Sequence, residues 1–339
     1  MQAAQLRMSD LYPLLMQPLF DPRPWGTNDL SPIYSQRFNE RIGESWLTGD
    51  HCKVQNGRFA GKTLAELASE YQRELVGEAA PNSDRFPLLA KFLFPYEKLS
   101  VQVHPDDTDA QAIGQPWGKT ECWYVAHARP EAEIGLGLKS GTTRADFEKA
   151  IHENRAEELL NWVKVSAGDL IYVAGGTVHT LGPGAIIVET QQQSDTTFRL
   201  YDYGRPRELH LEHGLRVIKA QVASGKVRPQ PFSKLGSNGN RAQHLVASPY
   251  FAVEKFDLHS EHEFDLAQRR KSSAQILVGV HGFASIESPG CDSVRFGMGD
   301  SVVVPAGIRQ FSIRPEPDVQ FLKSYVPETR EHIPEIITN

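Results

Sequence analysis

SVQVHPDDTDAQAIGQPWGKTE, Ser100 to Glu121, decides how the chain is read. It opens on an alternating run. Side chains at i and i+2 of a β-strand share a face, so Ser100, Gln102 and His104 point one way while Val101 and Val103 point into a core. It closes on Lys119-Thr120-Glu121-Cys122-Trp123, and the same phasing groups Lys119, Glu121 and Trp123. One strand offering Gln and His, then one offering Lys and Glu, makes half of a metal cage with a cation beside it.

The missing ligand is sought where the pattern recurs. GDLIYVAGGTVH, Gly168 to His179, runs from a Gly-Asp turn through a β-rich segment and a Gly-Gly turn to a histidine. Gln102, His104, Glu121 and His179 together offer two oxygens and two imidazole nitrogens. Such a mixed set suits a divalent transition metal, zinc first. A cage of three neutral or weakly basic ligands and one carboxylate leaves net positive charge on the ion. The site is then a Lewis acid toward a sugar oxygen.

The blocks QVHPDD, WGKTE, AGGTVHTLGPG and VETQQQSDTTFRLYDYGR resemble those of type I mannose-6-phosphate isomerases, metal-dependent bicupins. PRPWG (Pro22–Gly26), IGESW (Ile42–Trp46) and NGRFAGKTLAEL (Asn56–Leu67) are similar to the same family, and the matching blocks run in order from about Pro22 to Arg216. The resemblance implies a mainly β fold of two cupin or jelly-roll barrels with a few inserted helices. It implies an enzyme that interconverts mannose 6-phosphate and fructose 6-phosphate through an enediol, with one zinc per chain. It further implies that Arg199 is catalytic, with Lys119 and Glu189 in the same pocket and Asp195 close by, and that Trp25 and Glu44 lie near the substrate. Leu181 stands where some family members carry an aromatic residue. No nucleotide-type phosphate loop is present, and a lone sugar phosphate needs only a hydroxyl and one or two cations. Ser100 on the ligand face, with Lys98 or Arg205, is the candidate set. A non-haem iron dioxygenase and a non-catalytic sugar-binding bicupin are the competing readings, since two histidines and a carboxylate also suit iron(II).

Composition narrows the field. The 339 residues carry a net charge of −6, which argues against general nucleic-acid binding. No apolar run approaches a membrane span, and the N-terminal MQAAQLRMSDLYPLL has no cleavable signal pattern. Cys52, Cys122 and Cys291 are scattered and odd in number, which suits a reducing, cytoplasmic setting. Nothing in the sequence gives the oligomeric state.

Along the chain, helices are expected at about 62–78 and 143–162, the latter opened by a Thr143–Asp146 capping box. A linking helix is expected at 206–221, between a catalytic first domain, 1–221, and a second domain, 222–339. GDLIYVAGGTVHTL (168–181) and GDSVVVPAGIRQFS (299–312) align without a gap, so the second domain reads as a degenerate copy with Gln310 in place of His179. His210/His213 and His259/His262 are HxxH pairs without an obvious third ligand.

Overall fold

The computed structural model describes residues 10–219, 222–329 and 335–337. The chain is mainly β with four short α-helices among the described residues: α1 (Leu64–Val76), α2 (Asp107–Ala112), α3 (Arg144–His152) and α4 (Leu211–Val217). None is long and apolar enough to cross a membrane.

Among the described residues, three antiparallel sheets make the body. The first runs Leu19–Asp29, Arg37–Trp46, Leu88–Leu93, Ala185–Gln192, Glu121–Ala128, Leu170–Val173, Gly225–Val227, Ile336–Ile337. The second runs Phe198–Tyr201, Val101–Val103, His179–Leu181, Glu133–Leu138, Leu160–Lys164. These two pack face to face through Trp123, Val125, Ile171 and Ile187 on one side and Ile134, Leu136, Val163 and Leu181 on the other. The third sheet holds most of the chain after residue 240 and, at its edge, Leu14–Met16. Its contact with the first sheet is a continuous apolar layer that includes Phe92, Tyr124 and Val188 against Val253, Ile276 and Leu322.

The 168–181 and 299–312 frames adopt one geometry. Gly168 and Gly299 both sit at φ near +90°, a region glycine enters without strain. The Asp169 carboxylate accepts from Ser166 N–H at 2.8 Å, and Asp300 accepts from Gly297 N–H at 2.9 Å. The strand rows correspond as well. Lys91, Glu189, Trp123 and Ile171 lie side by side in the first sheet, and Glu254, Lys323, Leu277 and Val302 do so in the third. A lysine–glutamate pair thus stands in both rows with its polarity reversed, buried in the first and half-buried at Glu254 in the second.

Two helices start where expected. Thr63 with Glu66 and Thr143 with Asp146 form complete capping boxes, each capping interaction being worth about 1 kcal/mol. The segment 143–162 is not one helix, however. It ends at His152, Asn154 turns to φ +58°, and Leu160–Lys164 is a strand that carries Trp162. The linking helix is also shorter than 206–221. Tyr203 and Gly204 have positive φ and Arg205 and Arg207 bind back to Asp202, so residues 202–210 form a compact turn before α4. The expected end of that helix, at Gln221, lies outside the described residues, as does the start of the N-terminal segment.

Candidate active site

Of the expected strand groups, Gln102, Glu121 and Trp123 stand on strands of two facing sheets, while Ser100, His104 and Lys119 lie just outside those strands. His179 lies opposite Gln102 on one side, and Arg199 lies opposite Gln102 on the other, so the three side chains form a row across the second sheet. From the first sheet, Glu121 and Trp123 share a face, and Glu189 lies directly opposite Trp123. The rows meet: Glu121 Oε1 is 3.5 Å from His179 Nε2, Glu121 Oε2 is 3.6 Å from His104 Nε2, and Gln102 Nε2 is 3.2 Å from His179 Nε2.

Backbone carbonyls fix both imidazoles. His104 Nδ1 is 3.0 Å from the Thr196 carbonyl and His179 Nδ1 is 2.9 Å from the Thr177 carbonyl. A carbonyl can only accept, so Nδ1 carries the proton in each ring and the Nε2 lone pairs face Glu121. Burial pushes His104 well below the usual histidine value and His179 down to about 4, which keeps both rings neutral. Burial and the nearby Glu189 carboxylate raise Glu121 to about 7 against the pull of Lys119 and Lys91. Neither Glu121 oxygen accepts a hydrogen bond among the described residues. The ligand atoms of His104, Glu121 and His179 lie within 4.8 Å of one another. The Lys119 ammonium stands beside them, 3.1 Å from His104 Nε2 and 3.3 Å from Glu121 Oε2. Two neutral nitrogens and a carboxylate, already attracting a cation, fit one divalent metal ion, and Gln102, which turns its amide nitrogen to His179, would offer Oε1 once the amide is flipped.

A cavity of about 480 Å³ opens beside this cage. Five cations line it (Arg23, Lys91, Lys119, Arg199 and Arg207) against the three carboxylates of Glu44, Glu189 and Asp195. In a chain of net charge −6 this local excess favours an anion. A buried charge relay forms its floor. Lys91 lies 3.1 Å from Glu189 and 3.4 Å from Glu44, Trp123 Nε1–H donates to Glu189 Oε2 at 2.9 Å, and Trp46 Nε1–H donates to Glu44 at 2.8 Å. Burial opposes ionisation of Glu44, but Lys91 and Arg23 outweigh it and hold the carboxyl at about 2. Arg199 donates from Nη1 to the Glu208 carbonyl at 2.8 Å, while its buried Nε–H has no partner among the described residues. Burial, then Arg207 and Arg23, pull Arg199 below the ordinary arginine value.

Of the residues named from sequence, Trp25, Glu44, Ser100, Gln102, Lys119, His179, Glu189, Asp195 and Arg199 line this cavity, and His104 and Glu121 are buried against it. Leu181 lines it too. Lys98 and Arg205 do not. Lys98 pairs with Glu157 at 2.5 Å above the Trp162 and Tyr203 rings, and Arg205 is engaged by Glu97, Asp202 and the Lys98 carbonyl. Their charges are paired outside the cavity lining. Sequence reasoning missed Lys91, Arg23, Arg207 and the hydrogen-bonding role of Trp123. The sequence signal for Lys91 was a lysine inside the apolar run Leu88–Leu93, which burial makes costly unless it is paired.

Known proteins of one family resemble the chain over most of its length. A family model for the catalytic domain of type I phosphomannose isomerase matches residues 29–138. Mannose-6-phosphate isomerase ManA of Bacillus subtilis is 36% identical over 314 residues, covering 89% of this chain and 95% of that protein. The chain belongs to the type I phosphomannose isomerase family. The crystal structure of the mannose 6-phosphate isomerase from Bacillus subtilis superposes with a TM-score of 0.81 at 31% identity, covering 92% of this chain and 99% of that one. A zinc-bound holo mannose 6-phosphate isomerase shares the fold at a TM-score of 0.73 and 15% identity, over 92% of this chain and 99% of that one.

Proposed function

We infer that this family member is an aldose–ketose isomerase that interconverts mannose 6-phosphate and fructose 6-phosphate with one zinc ion per chain. The observation that carries the reading is the row Arg199–Gln102–His179, which places a guanidinium and a metal cage on adjacent strands of one cavity wall. Gln102, His104, Glu121 and His179 would hold the metal, which when bound supplies positive charge beside the sugar oxygens.

Isomerisation removes a proton from the carbon next to a carbonyl and returns it one carbon over. Glu189 is the carboxylate we assign to that transfer, because it lines the cavity with Oε2 fixed by Trp123 and Oε1 beside Lys91. Arg199 stabilises the negative charge that develops on the enediol oxygens, with its unpartnered Nε–H and its fixed planar fork. Lys119 adds charge from the cage side. Trp25, Glu44 and Asp195 line the sugar region. Arg207 and Arg23, with Ser100, replace Lys98 and Arg205 as the groups we assign to the phosphate. An iron dioxygenase would need none of the buried Lys91–Glu189–Trp123 relay, and a mere sugar binder would not need it beside a cage.

The fold reading that accompanies this is a bicupin, with residues 1–221 catalytic and 222–339 a degenerate second barrel. The repeated turn and strand rows support it. Three free cysteines and a sugar-phosphate substrate fit the cytoplasm.

A coupled assay of fructose 6-phosphate formation tests the activity. Zinc-loaded protein should turn over, and chelator should abolish turnover until zinc is restored. Zinc-loaded protein that forms no fructose 6-phosphate overturns the reading. Arg199→Ala should lower kcat roughly a hundredfold with metal content unchanged. A raised KM with kcat intact would move Arg199 to phosphate binding.

A further inference from the structure

Arg199 sits on Phe198–Tyr201, an edge strand of the second sheet. Its pairing with Val101–Val103 slips between Arg199 and Tyr201. An edge strand has a row of backbone groups with no strand partner, and a slip weakens the pairing that remains. The outward N–H and C=O of Arg199 are nevertheless both satisfied, by one residue. His210 N–H donates to the Arg199 carbonyl at 2.7 Å, and Arg199 N–H donates to His210 Nδ1 at 3.1 Å.

His210 is the residue immediately before α4, where Ser, Thr, Asp or Asn would normally cap the helix. Its side chain makes no capping bond and turns back to the strand instead. The tautomer is fixed without ambiguity. A backbone N–H can only donate, so Nδ1 is unprotonated and the ring proton of the neutral imidazole is on Nε2. Neighbouring contacts hold the ring's helix in place. The His213 ring stacks on Phe198 at 5.6 Å, and a Cβ on Gly214 would meet Leu200 at 2.4 Å, so α4 lies as close to this strand as a glycine allows. The same turn contributes the Glu208 carbonyl to Arg199 Nη1.

We propose that His210 is the positioning residue of Arg199: it caps the open edge of the strand at the one residue whose guanidinium the reaction uses, and so sets how Arg199 stands beside Gln102. The HxxH pair His210/His213 is then a clamp on Phe198 and Arg199, and neither histidine needs a metal. The proposal rests on the catalytic reading of Arg199 given above.

The experiment is steady-state kinetics on zinc-loaded His210→Ala, Arg199→Ala and the double variant. His210→Ala should lower kcat roughly ten- to a hundredfold, since a small misplacement of a catalytic group has an effect of that order. Zinc stoichiometry should stay at the wild-type value. In the Arg199→Ala background His210→Ala should cost nothing further. His210→Asn, whose Oδ1 can occupy the place of Nδ1, should restore most of kcat, while His210→Gln should not. Activity of His210→Ala within twofold of wild type, or losses that multiply in the double variant, overturns the proposal. Should Arg199→Ala itself keep full kcat, the catalytic reading of Arg199 fails instead, which the same data distinguish. Long-range 1H–15N NMR of the wild-type imidazoles gives a check independent of any variant: His210 must be the Nε2–H tautomer, and an Nδ1–H signal refutes the proposal.

Discussion

Replacing Lys91 by methionine tests the buried relay beneath the cavity. The change keeps the stem of the side chain and removes only its charge. Lys91 lies 3.1 Å from Glu189 and 3.4 Å from Glu44, and all three residues are at most 8% exposed. Removing one partner of a buried ion pair leaves a carboxylate uncompensated and costs about 3–5 kcal/mol. Glu44 retains Arg23 and the Trp46 N–H, so the loss falls mainly on Glu189. For 339 residues the unfolding entropy near 60 °C is about 0.7 kcal/mol per degree, so the melting temperature should fall by about 4–7 °C. Scanning calorimetry with chelator present measures this apart from metal binding. The triple variant Lys91→Met/Glu189→Gln/Glu44→Gln should recover part of the loss, because the stranded charges are gone. The acid limb gives a second measurement. The Glu44 carboxyl has a folded value of about 2 against an ordinary 4.5, a depressed pKa. Its stabilisation, about 3 kcal/mol, is fully present above pH 4.5 and is lost as pH falls through about 2. Without Lys91 the folded value rises, so acid unfolding should begin at a higher pH. A Lys91→Met variant that melts within a degree of wild type, with an unmoved acid limb, would refute the reasoning.

His104→Ala and His179→Ala should each lose zinc and turnover together, as elemental analysis and the coupled assay would record; stoichiometric zinc in either variant would sink the cage assignment. Trp123→Phe removes the N–H bound to Glu189, and a bond to a charged group is worth about 1.5–3 kcal/mol, so kcat should fall about tenfold or more with zinc retained. Lys323→Met breaks the reversed pair with the partly exposed Glu254, and calorimetry should show a smaller loss of stability than Lys91→Met while kcat below the transition stays at the wild-type value. Substituting Lys98 or Arg205 by methionine should leave KM within about twofold, because neither lines the cavity.

How much of this was legible in the sequence depended on whether a signal was periodic. Gln102 with His104, and Lys119 with Glu121, could each be paired because a strand repeats every two residues, and the frame of His179 could be matched to that of Gln310 because both copies keep Gly and Asp at the turn. The Thr143 and Asp146 pair marked a helix start because capping is local. The end of that helix was not marked, since residues 153–162 retain helical apolar spacing and only packing against Glu133–Leu138 makes Leu160–Lys164 a strand. Lys91 was hidden because a lysine in an apolar run reads as a stem reaching to solvent, and its partners Glu44 and Glu189 come from strands distant in sequence. The Thr177 and Thr196 carbonyls that orient the histidines carry no residue signature at all. For Lys98 and Arg205 the sequence shows charge but not the Glu157, Glu97 and Asp202 that pair with it.

Leu14–Met16 pairs with Ser301–Val304, and Ile336–Ile337 pairs with Gly225–Val227 at the far edge of the first sheet. This exchange of ends bears on how the protein is made. When the ribosome has delivered every residue of the cavity, the partner of Leu14–Met16 has yet to be synthesised. Leu14 and Met16, fully buried in the finished protein, must wait in solution with the apolar face that includes Phe92, Tyr124 and Val188. The part that holds the whole site thus shares an edge strand and an apolar layer with the third sheet, and both stay uncovered until that sheet is made. A nascent chain halted before Ser301 would present an unpaired edge and a bare apolar layer together, the combination that chaperones and proteases act upon.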